Sequence, residues 1–228
     1  MSARVLVTGV DTELGAAVRR QLAADGAATV GVQAVAGQSA EHTLSAHPGD
    51  RGAIRAAVGE ATALMGGLDT LVVAHALPMV AGFEEQTMGD FWEHVDTALS
   101  GSFFYAQAAG EVMRTAGTGG RIVLTTSTWH IGAPKLSAVA TAAGGIVALT
   151  KTLARDLGRF GVGVNAVAVG SVDSEWSVCD AGAPLPPAGA TGTVTQVARV
   201  IALLSKHCLG AAVGQIVNVD GGLSRNRV

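Results

Sequence analysis

Six apolar runs of strand character alternate with helical spacing along this chain, and that alternation constrains its fold more than any other feature. The runs are RVLVTG (4–9), ATVGVQ (28–33), DTLVVAHA (69–76), GRIVLTT (120–126), GVNAVAVG (163–170) and GQIVNVDG (214–221). Helical patterns cover 13–24, 51–65, 88–115, 137–158 and 193–206. A strand that is apolar throughout, rather than at every second position, is covered on both faces; such strands alternate with helices in parallel sheets.

Right-handed crossovers then predict a single α/β domain over 1–228, a Rossmann-like doubly wound layer with a parallel sheet of about seven strands. The 228 residues suffice for one domain with a sizeable core and are too few for two comfortable ones. Hydrophobic residues make up 49% and charged residues 14%, which excludes a disordered chain. A net charge of −3 and an isoelectric point near 6.0 provide no electrostatic footprint for nucleic acid or an anionic membrane. The basic clusters Arg19-Arg20 and Arg225 with Arg227 read as solvated surface. No apolar run approaches the roughly 20 residues that span a bilayer. MSARVLVTG runs into the first strand without the pattern of a secretory leader. Cys179 and Cys208 lack metal-ligand spacing and are read as free thiols, so a reducing cytoplasm is the expected location.

TGVDTELG (8–15) joins the first strand to the first helix. A strand, a tight glycine turn and a helix N-terminus make an anion cradle, because unpaired backbone N–H groups and the helix dipole point at one spot. Glu13 is neither small nor neutral. Its carboxylate either fills the anion seat itself or stands as an ordinary first-turn acid that crowds the cradle.

The centre of 88–115, ALSGSFFYAQAAGEVM, is small and apolar all round and is expected to be buried between other elements. Gly144 and Gly145 lie inside a helix, where each costs on the order of 1 kcal/mol relative to Ala. Close packing of helices, within the chain or across a subunit interface, is the return. The tract SVDSEWSVCDAGAPLPPAGATG (171–192) follows the penultimate strand at the carboxyl edge, and reads as a lid or as a surface loop.

Taken in order, these segments resemble the short-chain dehydrogenase/reductase family over nearly the whole chain. TGVDTELG is similar to the family's TGxxxGxG turn, with Thr8, Gly9, Leu14 and Gly15 at the cofactor-contacting positions. LDTLVVAHA stands where the family has a strand ending in NNAG, and FWEHVDTALSGSFF resembles its Asn-bearing helix. GRIVLTTS resembles the strand ending in the catalytic Ser, LTKTLARDLGRFGVGVNAVAVG the next helix and strand, and GQIVNVDGG the last strand. The resemblance implies NAD(P)-dependent hydride transfer between alcohols and carbonyls. It implies a Tyr as general acid/base, a Lys that lowers the Tyr pKa, a Ser that orients the substrate oxygen and a supporting Asn. It also implies assembly through the helices at 88–115 and 137–158.

Most of that machinery is missing. Tyr and Lys must stand four apart on a helix to share a face, yet the one tyrosine is Tyr105, with Ala109 four residues on. Anchoring on LTKTLARDLG puts Val139 at the Tyr position and Ala143 at the Lys position; Lys151 comes two turns too late. Ala98 stands for the Asn, and Ser127 alone remains. Valine transfers no proton, and Ser127 without a base can simply satisfy a turn. On the cofactor side, Gln33 replaces the ribose-binding acid or base and His47 the adenine-binding Asp. NNAG has become Ala74-His75-Ala76-Leu77, and Val169 replaces a Pro.

His75, His94, His130 and Lys135 are candidate replacements, with Ser127 and His130 the most direct pair and Asp173 or Glu175 as orienter. An ordinary hydrogen-bonded His is the alternative for each. The leading expectation is a degenerate family member without a bound cofactor. It would serve as a scaffold or regulatory subunit in a homo-oligomer or a mixed oligomer with an active paralogue. The alternatives are an NAD- or NADP-dependent oxidoreductase using Ser127 with His130 or Lys135, and a non-redox enzyme or small-ligand binder reusing the pocket.

Overall fold

A computed structural model describes residues 2–35, 41–75 and 77–224. The strands are β1 (Arg4–Thr8), β2 (Ala28–Gln33), β3 (Thr43–Ser45), β4 (Thr70–Val73), β5 (Gly120–Ser127), β6 (Val162–Val169), β7 (Val172–Asp173), β8 (Gly192–Thr193) and β9 (Ile216–Val219). Seven of them form one parallel sheet in the order β3-β2-β1-β4-β5-β6-β9, and β7 and β8 pair separately. The strand order reverses between β1 and β4, which places the ligand crevice of a doubly wound sheet beyond their carboxyl ends.

Alternate side chains of the strands feed two cores. Leu6, Leu71, Ile122 and Val164 face a layer containing Ile54, Tyr105, Met113 and Ile146. Val5, Val7, Val72, Val123 and Val167 face Val18, Leu22, Val197 and Ile201. The first layer is built by helices α2 (Arg51–Met65), α4 (Gly101–Ala116) and α5 (Ser137–Gly158), and the second by α1 (Glu13–Ala24) and α6 (Val194–Leu204). Burial on both faces is why the strands read as unbroken apolar runs.

Three sequence expectations change. The helix expected over 88–115 consists of α3 (Met88–Val95) and α4 joined through a π-helical turn at Asp96–Ser100. Its centre is buried on one side, through Tyr105, Ala106, Ala109 and Met113, but not all round, since Phe103 is exposed. Helix α5 is long and apolar enough, by length and composition, to cross a membrane. It lies instead against the sheet, with Val139, Ala142, Ala143 and Ile146 buried. The tract 171–192 is partly ordered, as β7, a 3-10 turn over Glu175–Asp180 and β8.

The glycine pair of α5 splits. A Cβ on Gly145 would lie 2.6 Å from Leu99 Cδ2 in the π-helical turn, so this residue serves packing within the chain. On Gly144 the nearest atom would be the His130 carbonyl oxygen at 3.7 Å, an ordinary contact. Urea unfolding of the purified chain is therefore expected to show Gly144→Ala stabilising by about 0.8 kcal/mol and Gly145→Ala destabilising by about 1 kcal/mol. Equal effects at the two positions would contradict this division.

Candidate functional site

At the carboxyl edge, β1 ends in Thr8 and turns through Gly9, whose φ of 68° suits glycine. A Cβ there would meet the Ala74 carbonyl oxygen at 2.4 Å, and one on Gly15 would meet the Gly9 carbonyl oxygen at 1.9 Å. Thr12 caps α1: its hydroxyl donates to the Gly9 carbonyl at 2.8 Å and accepts from the Gly15 N–H. The turn thus keeps the close approach of a phosphate cradle. Leu14 is buried and points toward the neighbouring cavity.

The carboxylate that bonds the backbone at this helix start is that of Glu175, not that of Glu13. Glu175 Oε1 accepts from the Glu13 backbone N–H at 2.5 Å across 162 residues, while the Glu13 side chain is exposed. Glu175 Oε2 is buried with no hydrogen-bond partner among the described residues. The segment is held by Asp180, which accepts from Trp129 Nε1 at 2.9 Å and from the Ser171 N–H at 2.8 Å. Cys179 and Trp176 pack beside Val139 and Leu136, and burial pushes the Cys179 thiol up to about 12, which leaves it unreactive.

Ser127 closes β5. Its Oγ accepts from the Trp129 N–H at 3.2 Å and caps the 3-10 turn Thr128–Ile131. His130 follows on that turn, and its Nδ1 donates to the Ser127 carbonyl oxygen at 2.9 Å. The two residues share a backbone turn; their side chains are not bonded to each other. Lys135 lies exposed with φ 64°, outside the cavity lining. Val139 and Ala143, one turn apart on α5, face Ser127 across a cavity of about 20 Å³, room for about one water. Ala98, His94 and Trp176 complete that wall. Among the described residues lining it, His94 is the sole titratable side chain, and burial holds the imidazole below its ordinary range.

His75 lies two residues beyond the end of β4 and is buried beneath the crevice. Thr8 Oγ1 accepts from the Ala74 N–H, which leaves its proton for His75 Nδ1 at 3.0 Å; His75 Nε2 then donates to the Thr97 carbonyl at 2.8 Å. Desolvation dominates and lowers the imidazole to about 4, so this residue is a neutral strut between β1, β4 and the π-helical turn. Tyr105 stacks near it at 5.5 Å, with burial raising the phenol far above its ordinary value. At the end of β2, Gln33 donates to Ser45 Oγ, and the Asp11 carboxylate accepts from the Ala34 N–H. His47 is exposed and bonds the Gly49 N–H. Ala76, Arg225 and Arg227 lie outside the described residues.

A crevice at the strand-order reversal, a glycine turn feeding α1 and a Ser at the end of β5 define a doubly wound Rossmann-like α/β scaffold. The family model described as Enoyl-(Acyl carrier protein) reductase matches residues 9–224. The chain belongs to the short-chain dehydrogenase/reductase family. It is 32% identical over 96% of its length to (2S)-[(R)-hydroxy(phenyl)methyl]succinyl-CoA dehydrogenase subunit BbsC of Thauera aromatica, covering 93% of that protein. It is 30% identical to the human (3R)-3-hydroxyacyl-CoA dehydrogenase, covering 97% of this chain and 95% of the relative. A dehydrogenase/reductase crystal structure from Sinorhizobium meliloti 1021 superposes with a TM-score of 0.86 at 26% identity, covering 97% and 95% of the two chains.

Proposed function

We propose that this chain serves short-chain oxidoreduction as a subunit that lacks a proton relay of its own, with the relay supplied by a partner chain of the same fold. One observation carries the reading: Val139 and Ala143 occupy the face beside Ser127 where the family's Tyr and Lys belong, in a cavity with room for about one water. Among the described residues lining it there is no Tyr and no Lys. His130 bonds a carbonyl and Lys135 stands outside the cavity lining. The residues also suit a dinucleotide poorly, since Glu175 meets the start of α1 with negative charge where a diphosphate would sit. The name of the Thauera aromatica relative, a dehydrogenase subunit, supports work within an assembly. Pairing runs through the open side of α4, where Phe103 is exposed.

By name, the relatives favour oxidoreductase activity over a purely structural role, and a second reading takes them directly. In it the chain is itself an NAD(P)-dependent oxidoreductase with an altered site, in which Ser127 and the neutral His94 share one cavity. Titrating the purified chain with NADH and NADPH separates the two. The subunit reading expects no saturation below about millimolar cofactor, against the micromolar range usual for a working site. It expects turnover only after co-expression with a family member carrying Tyr and Lys four residues apart. Micromolar binding with turnover by the chain alone would establish the second reading in its place.

A further inference from the structure

The segment Ser174–Asp180 does more than border the site. Glu175 brings a carboxylate to the first turn of α1, the point where backbone donors and the helix dipole favour an anion. The next residue, Trp176, fills the wall of the cavity that holds Ser127 and Val139. One short strap therefore occupies both the anion seat and the reaction pocket. Two bonds to Asp180 and the Ser174–Ser177 capping box hold it in this shape.

The closure is incomplete in one respect. Glu175 Oε1 gains a charge-assisted bond to the Glu13 N–H, but Oε2 is buried without a donor among the described residues. A buried carboxylate oxygen left unpaired opposes the gain from its bonded neighbour. The strap is thus held shut by a small balance, and an anion that satisfies the helix start better can displace it.

We propose that Ser174–Asp180 is an intramolecular latch in which the Glu175 carboxylate substitutes for the diphosphate of a nucleotide at the α1 N-terminus. Opening the latch exposes the glycine turn of Gly9 and Gly15, whose close approach is still intact. The latch stands whichever chain supplies the proton relay, because it concerns access to the seat and not the chemistry beyond it.

The test compares wild type with Glu175→Ala, Glu175→Gln and Glu13→Gln. Each is titrated with NADH by fluorescence and with sodium pyrophosphate by calorimetry. Removing the Glu175 carboxylate is expected to lower the half-saturating concentration of both probes by about tenfold or more, equivalent to about 1.4 kcal/mol. Glu175→Gln keeps the acceptor oxygen and loses the charge, so a smaller gain in the same direction is expected. Glu13→Gln alters an exposed side chain and is expected to change binding by less than about threefold. In wild type, pyrophosphate is expected to speed hydrogen exchange across 174–180. Unchanged titrations for both Glu175 variants, or an equal gain from Glu13→Gln, would overturn the latch; if Glu175→Ala does not fold, Glu175→Gln and the exchange measurement decide. A wild-type chain that turns over NADH alone, while Glu175→Ala binds still more tightly, would retire the subunit reading and keep the latch.

Discussion

Installing Tyr at position 139 and Lys at position 143 is expected to cost the chain about 5 kcal/mol of stability and to return no turnover. Val139 is 1% exposed and Ala143 4%, and the cavity between them and Ser127 holds about 20 Å³. A phenol ring does not fit that space unless Trp176 leaves it. Overpacking a closed core costs about 1–3 kcal/mol. The Lys fares worse. None of the side chains lining the cavity is acidic, and its one titratable neighbour, His94, is held neutral by burial. A lysine buried without a counter-charge loses its proton or unfolds its surroundings, at a cost of several kcal/mol. Urea unfolding of the two single variants and the double variant measures the loss, with Val139→Phe separating ring volume from the hydroxyl. A double variant near wild-type stability that oxidises NADH would show that the site still accommodates the family's chemistry, and the subunit reading would fall.

The parts of this site that were legible in the sequence are those set by local spacing. The family resemblance, anchored on LTKTLARDLG, singled out Val139 and Ala143, their four-residue interval puts them on one helix face, and both line one cavity. The boundaries expected for 13–24, 51–65 and 137–158 coincide with those of α1, α2 and α5, because caps such as Asp50 and a sustained apolar stripe are local signals. What escaped is what tertiary closure creates. Edge strand β3 has only three residues and no apolar run to announce it. The π-helical turn at Asp96–Ser100 hides in small residues that suit any helical period, yet it presents the Thr97 carbonyl to His75. The acid at the start of α1 was sought next door, in Glu13. The one that bonds there comes from 162 residues away, and no pattern in TGVDTELG points to it. Ser127 and His130, only three apart, looked like a pair, but a turn that close brings a ring nitrogen to a carbonyl as readily as to a hydroxyl.

Acid is expected to loosen the crevice through His75. Its imidazole is buried and neutral, bonded to Thr8 on β1 and to the Thr97 carbonyl of the π-helical turn. Desolvation, opposed only in part by the Thr97 bond and by Asp11, lowers it from 6.5 to about 4. The sign follows from proton counting. Between those values the unfolded chain carries a proton on this residue and the folded chain does not, so stability rises with pH across the window. The contribution is fully present above 6.5 and is lost as pH falls toward about 4. At about 1.4 kcal/mol per pH unit the loss is roughly 3 kcal/mol. His94, lowered by burial as well, acts in the same direction. Urea unfolding free energies of wild type and His75→Gln from pH 7.5 to pH 4 test this. The wild-type curve is expected to fall more steeply than that of the variant, the two converging toward acid by an amount near the stated loss. Parallel curves would mean that His75 titrates alike in both states, and the neutral strut joining β1, β4 and the π-helical turn would have to be abandoned. Protonation of that imidazole, which leaves Nδ1 no lone pair for the Thr8 hydroxyl, is what links acidity to the packing of the crevice floor.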